Sequence, residues 1–151
     1  IGVFLTHSHF DHIAGLNDLL GDYPDCMVYT SEYGAASLYS AKKNMSHYHE
    51  KTFVFSGNNV TILKDNDKVK LFTNEYLNVI ATPGHCPSCL TFYTDNIVFT
   101  GDAYIPGVPI VTKLPKGNKA DAALSLEKIL SLSKDRQIYP GHDIERWKSI
   151  L

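Results

Sequence analysis

Thr6-His7-Ser8-His9-Phe10-Asp11-His12 places three imidazoles and one carboxylate within a single short stretch of chain. In a chain with seven histidines, the pattern H-x-H-x-D-H arises by chance about one time in a thousand. Residues two apart point the same way along an extended segment, so His7 and His9 are suited to hold one ion together. Asp11 and His12 fall where the chain turns into a helix, and there they can face a second ion. Helix N–H groups at such a turn add partial positive charge, which suits an anionic oxygen. Residues 1–5, just upstream, form an apolar run with strand composition. The motif therefore belongs on a loop at a strand's C-terminal end, a common seat for active-site residues in layered α/β folds.

Working outward, residues 12–20 carry Ile13, Leu16, Leu19 and Leu20 on one helical face, with Gly21 as the expected stop. Residues 27–30 read as a strand, and Ser31 opens a helix through about residue 41. Residues 42–56 show no clear period and read as an irregular excursion. Three short strands follow at 60–63, 69–72 and 77–81, expected to form an antiparallel meander. Residues 90–93 and 97–100 make a hairpin around Thr94-Asp95-Asn96. The stretch 104–119, rich in Pro, Gly and Lys, is a lid or wall loop. Residues 120–132 form a helix begun by Asn118 or Asp121, 137–139 a last strand, and 147–151 the start of another helix.

Four times in this pattern an apolar strand stops and a histidine or aspartate follows. The four stops yield the motif itself, His85 after Thr82-Pro83-Gly84, Asp102 after Gly101, and His142 after Pro140-Gly141. A metal ion needs about four to five donors, more than one loop supplies. His85, Asp102 and His142 are therefore the natural remaining candidates, and the adjoining glycines allow the tight turns that would aim them inward.

With 151 residues, 44% hydrophobic and 20% charged, the chain has the bulk of one globular domain over 1–151. A net charge of -2 supplies no electrostatic attraction for nucleic acid or an anionic membrane. No apolar run reaches the roughly 20 residues of a membrane span, and no secretory leader is visible. Three cysteines make no disulfide framework and favour a reducing, cytoplasmic setting. Both ends read as cut, so a piece of a longer parent is expected. The oligomeric state is not legible.

The four segments resemble the signatures of the metallo-β-lactamase-fold superfamily: residues 6–12 the first, Thr82-Pro83-Gly84-His85 the second, Phe99-Thr100-Gly101-Asp102 the third, and Tyr139-Pro140-Gly141-His142 the last. The resemblance spans nearly the whole chain and implies an αββα sandwich of mixed α/β class, here without the strands that normally precede the first signature. It implies that His7, His9 and His85 hold one metal, Asp11, His12 and His142 the other, and that Asp102 bridges them. Lactamases of the best-known class have cysteine at the bridging position. Asp102 therefore points to the branch similar to glyoxalase II (hydroxyacylglutathione hydrolase), which hydrolyses thioesters.

Imidazole and carboxylate donors suit zinc first, as two ions, with iron or manganese also compatible. Two such ions acidify water and polarise the bond under attack, so a metal-bound hydroxide would act on a small ester or thioester-type substrate. Catalysis is assigned to Asp11 and His12. Tyr104, Lys113 and Lys116, with Lys119 beyond them, are candidate substrate contacts, although loop lysines are more often solvated surface. The second H-x-H pair, His47 and His49, reads as surface, and Cys86-Pro87-Ser88-Cys89 as packing or support for His85. Two other readings stand beside this one. The first is a mononuclear iron persulfide dioxygenase of the same fold, and the second a non-catalytic fragment or interaction module.

Overall fold

The computed structural model describes residues 2–143; the helix expected at 147–151 lies outside them. The chain runs β1 (Gly2–Phe4), α1 (Phe10–Ile13), α2 (Leu16–Asp22), β2 (Met27–Thr30), α3 (Glu32–Leu38), β3 (Val60–Ile62), β4 (Lys68–Lys70), β5 (Tyr76–Ala81), β6 (Leu90–Tyr93), β7 (Ile97–Gly101), α4 (Lys119–Leu132) and β8 (Gln137–Pro140). A three-stranded parallel sheet orders β1-β2-β3, and a five-stranded sheet orders β4-β5-β6-β7-β8. The second sheet is antiparallel except where β8 joins β7 in parallel.

Strand alternation builds the layers. In β1 and β2, Val3 and Val28 face α1 to α3, packing with Leu5, Ile13, Leu16 and Leu38. Their neighbours Phe4 and Tyr29 face the other sheet, joining Leu77, Val79, Leu90 and Phe92. Phe4 stacks on Tyr29 at 4.5 Å and meets Phe92 edge-on at 5.7 Å. On the outer side of the second sheet, Ile129 of α4 packs with Cys86, Cys89 and Ala103. Two sheets face each other with helices outside both, which is the αββα arrangement expected from the signatures. Among the described residues no helix is long and apolar enough to cross a membrane.

Several expectations are corrected. The helix over residues 12–20 is two, α1 and α2, and Gly21 lies inside α2 instead of ending it. Nothing approaches the space a Cβ would occupy on Gly21, so an exposed helical glycine there costs propensity only. The helix opened by Ser31 stops at Leu38, with the Ser31 side chain accepting from Gly34 N–H as its cap. The meander expected over residues 60–81 is also wrong in part. Strand β3 runs parallel to β2 in the first sheet, and only β4 and β5 pair antiparallel in the second. Helix α4 starts where expected, its N-terminal N–H groups of Ala120 and Asp121 donating to Asn118 Oδ1.

Helix α4 also clamps the corner that carries His85. Asn118 N–H donates to Gly84 O at 2.7 Å, and Ser125 Oγ donates to Pro83 O at 2.6 Å. Gly84 sits at φ 135°, and a Cβ there would overlap the backbone of Ala122. Gly84→Ala is therefore expected to destabilise the fold by about 3 kcal/mol through combined strain and overlap. Urea denaturation checks this, and an unchanged midpoint would contradict it.

Candidate metal centre

All four strand ends deliver their side chains to one place. The motif leaves β1 across the gap between the sheets, where Thr6 O accepts from Leu90 N–H at 2.7 Å. Ser8 is held by the buried Ser88, whose Oγ accepts from Ser8 N–H at 3.1 Å and from Ser8 Oγ at 3.0 Å. The last corner is tied to the third by Gly141 N–H donating to Gly101 O at 3.0 Å. A Cβ on Gly141 would collide with Asp102 Oδ1, so only glycine lets this corner approach so closely.

The side chains form three overlapping groups whose donor atoms lie within 4.8 Å of one another: His7 with His9 and His85, His7 with His12 and Asp102, and Asp11 with His12 and His142. His85 Nε2 lies 3.0 Å from His9 Nδ1, and His12 Nε2 lies 3.2 Å from His142 Nε2. Asp102 stands between the outer groups, with Oδ1 3.5 Å from His12 Nε2 and Oδ2 3.7 Å from His85 Nε2 and 3.3 Å from His142 Nε2. Asp11 Oδ2 is 3.5 Å from His12 Nε2 and 3.4 Å from His142 Nε2, and at 57% exposure Asp11 is the member most open to solvent.

Nitrogens facing nitrogens cannot all be hydrogen-bonded. His85 Nδ1 lies 2.9 Å from Val111 O, and only an N–H can donate to a carbonyl. The tautomer is thereby set, and the Nε2 lone pair points at the cluster. His7 Nε2 and Asp102 Oδ1 are buried without a hydrogen-bond partner, a costly state for polar atoms that a shared cation removes. The donor set and these two orphaned atoms fit a divalent metal centre.

The electrostatics agree for His7 and His12, while His9 is shifted the other way. Burial, then the neighbouring His12, His9, His85 and His142, hold His7 well below the ordinary imidazole value of 6.5. Burial also lowers His12, partly offset by Asp102 and Asp11. Burial pulls His9 down as well, but Cys86, Asp11 and Asp102 outweigh it and leave His9 raised. Neutral imidazoles are the metal-ready form. Cys86 Sγ lies 3.4 Å from Cys89 Sγ and 3.0 Å from Ser88 Oγ. The hydrogen bond from Cys89, against burial and with help from His9, lowers Cys86 to about 4, while that same bond and burial raise Cys89.

A cleft of about 270 Å³ opens beside the cluster, reaching His9, Asp11, His85, Asp102 and His142 and walled by Phe10, Met45, His49, Val111 and Leu114. Tyr104, Lys113 and Lys116 are absent from that wall. Tyr104 packs beside Cys86 and Ile129, and the stretch 104–119 turns Val111 and Leu114 to the cleft instead. Sequence reading missed the apolar wall, because residues 109–115 alternate without a pattern that names a partner. It also set His49 aside with His47. Both are exposed, but only His49 reaches the cleft.

Residues 1–142 match the protein-family profile described as the metallo-beta-lactamase superfamily. Over 141 residues the chain is 33% identical to a Dictyostelium discoideum protein named glyoxylase B2, covering 91% of this chain and 48% of that protein. A Salmonella typhi hydroxyacylglutathione hydrolase is 28% identical over 141 residues, covering 93% of this chain and 47% of its own length. The chain thus spans about half the length of these relatives. The protein TTHA1623, solved in a di-iron-bound form, superposes with a TM-score of 0.76 at 26% identity, covering 94% of this chain and 69% of that one.

Proposed function

The chain belongs to the metallo-beta-lactamase superfamily, and from that premise we propose that it is a metal-dependent hydrolase of small ester or thioester substrates. The observation that carries the reading is the convergence of three donor groups from four distant segments around buried atoms with no hydrogen-bond partner. In this reading His7, His9 and His85 hold one ion, Asp11, His12 and His142 the other, and Asp102 lies between. Zinc is the first choice, and imidazole and carboxylate donors also suit iron; TTHA1623, similar in fold, was solved in a di-iron-bound form. Bound divalent ions supply Lewis acidity that acidifies water and polarises the bond under attack.

The protein's own contribution is placement. The carbonyl of Val111 fixes the His85 ring, burial keeps His7 neutral, and the clamp of α4 on Gly84 holds the corner rigid. Asp11, exposed and facing the cleft, is the carboxylate placed to take a proton from the attacking water at Oδ2. His12 Nε2, 3.5 Å from that oxygen, shares one donor group with Asp11. The thioester branch is supported by a relative whose name gives an acyl glutathione as its substrate. Three free cysteines support a reducing compartment.

The test loads the protein with zinc or iron and offers acyl thioesters, oxygen esters and a persulfide. Hydrolysis that chelator abolishes and metal restores is expected. Oxygen uptake with persulfide on a single iron would replace this reading with a dioxygenase. No turnover of any substrate by the fully loaded protein would sink it.

A further inference from the structure

The cleft wall contains one ionisable side chain outside the donor groups, His49, among the described residues. It stands on the excursion of residues 42–56, a segment with no periodic signal that is nonetheless firmly anchored. Asn44 is wholly buried and donates from Nδ2 to Ser37 O at 3.2 Å and Phe53 O at 3.0 Å. Ser46, also buried, accepts at Oγ from Phe53 N–H at 2.8 Å. Met45 adopts the left-handed conformation at φ 67°, and the turn it starts closes with His49 N–H donating to Ser46 O at 2.9 Å. The result sets the His49 ring 4.6 Å from the Phe10 ring at a 42° tilt. His47 goes elsewhere, packing on Tyr48 with Nδ1 3.3 Å from Ala41 O.

This arrangement holds an imidazole against an apolar wall, within reach of anything bound in a cleft of about 270 Å³, a volume about 8 Å across if compact and near the lower end for ligand sites. The donor groups serve the carbonyl side of a substrate, and His49 is the ionisable wall side chain outside them that is placed to serve its departing group. No lysine or arginine faces the cleft among the described wall residues, so a departing group with a permanent negative charge finds no fixed cation there.

We propose that His49 is a catalytic residue that protonates the departing oxygen of a small, uncharged oxygen ester whose alcohol portion rests on Phe10 and Met45. The inference rests on the metallohydrolase reading above. Hydroxide forms a bond to the acyl carbon, the carbon–oxygen bond to the alcohol breaks, and its electron pair stays on the departing oxygen. The His49 ring proton moves to that oxygen to give a neutral alcohol, the acyl product releases its own acid proton to solvent as it leaves as a carboxylate, and the ring regains its proton from solvent. Imidazole is the side chain best suited to such transfer near neutral pH.

The experiment compares native protein, His49→Gln, His49→Ala and, as a control outside the cleft, His47→Ala. Each is zinc-loaded and offered one acyl group as its alkyl ester, phenyl ester, p-nitrophenyl ester and thioester. Because His49 is exposed, its variants should fold and keep the native metal content, measured by elemental analysis. General-acid loss lowers kcat on the alkyl ester by about 100-fold, and by less than about threefold on the p-nitrophenyl ester, whose departing group needs no proton. The dependence of rate on leaving-group acidity steepens in both variants and stays native in His47→Ala. An equal loss across the series, no loss, or a loss of metal overturns the role of His49. So does a native protein that hydrolyses the thioester but none of the oxygen esters, which leaves the metallohydrolase reading standing. If the native protein hydrolyses nothing, both readings fall.

Discussion

Asp102→Asn is expected to lower hydrolysis by about a thousandfold while metal content falls from about two ions per chain to about one. Five imidazoles and two carboxylates meet at the centre, and the imidazoles bring no negative charge. Asp102 is the more enclosed of the two carboxylates, with a side-chain exposure of 13% against 57% for Asp11. Its carboxylate reaches both outer groups, with Oδ2 toward His85 of one and His142 of the other and Oδ1 toward His12. Asparagine keeps the shape but replaces a shared anion by a neutral oxygen and an N–H₂ donor, which repels a cation where an oxygen attracted it. Packing is preserved, so a large loss isolates the charge. Elemental analysis of the purified variant and steady-state kinetics on the best ester substrate read the two effects separately. Two ions retained at near-native turnover would refute the bridging role of Asp102.

What the sequence made legible, and what it did not, divides along the range of the interactions concerned. The strand ends that deliver His7, His85, Asp102 and His142 were readable because each is marked locally by the end of an apolar run, followed by glycine or proline in the last three. Helix α4 was readable from its Asn118 cap, but the face it buries is Ala122, Ser125 and Ile129, while Leu124 and Leu130, expected on the apolar side, are exposed. The partner of β3 was not readable. Val60–Ile62 has the composition of any short strand, and whether it pairs with β2 or β4 is decided by contacts more than twenty residues away. The break between α1 and α2, at Ala14 and Gly15, was not readable from the helical period either. The excursion around His49 failed differently. Its anchors are Asn44 and Ser46, polar side chains that pattern reading assigns to the surface, whereas both are wholly buried and satisfied. Lys113 and Lys116 drew attention as charges, but Val111 and Leu114 are the residues that face the cleft.

Stripping the ions is expected to lower the melting temperature by about 10 °C at pH 7.5, and the stripped protein is expected to melt lower still at pH 5.5. A ligand that binds only the folded state at about a thousand times its dissociation constant stabilises by about 4 kcal/mol. In a domain of this size each kcal/mol shifts melting by about 2–4 °C. The pH effect follows from His7. Burial first, and then four neighbouring imidazoles, hold its folded value well below 6.5, the value that applies once the chain unfolds. As pH falls through 6.5 the unfolded chain takes up a proton that the folded protein refuses, so stability is lost on the acid side. His12 is lowered and acts in the same direction. His9 is raised and acts oppositely, its contribution present below 6.5 and lost as pH rises through its folded value. Two lowered groups, one of them strongly, outweigh one raised group. Protons also compete with metal for the same nitrogens, so added zinc should rescue less at pH 5.5 than at 7.5. Thermal denaturation with zinc or chelator at the two pH values reads all of this. Equal melting with and without metal would remove the ions from the folded state, and a stripped protein steadier at pH 5.5 would reverse the sign assigned to His7.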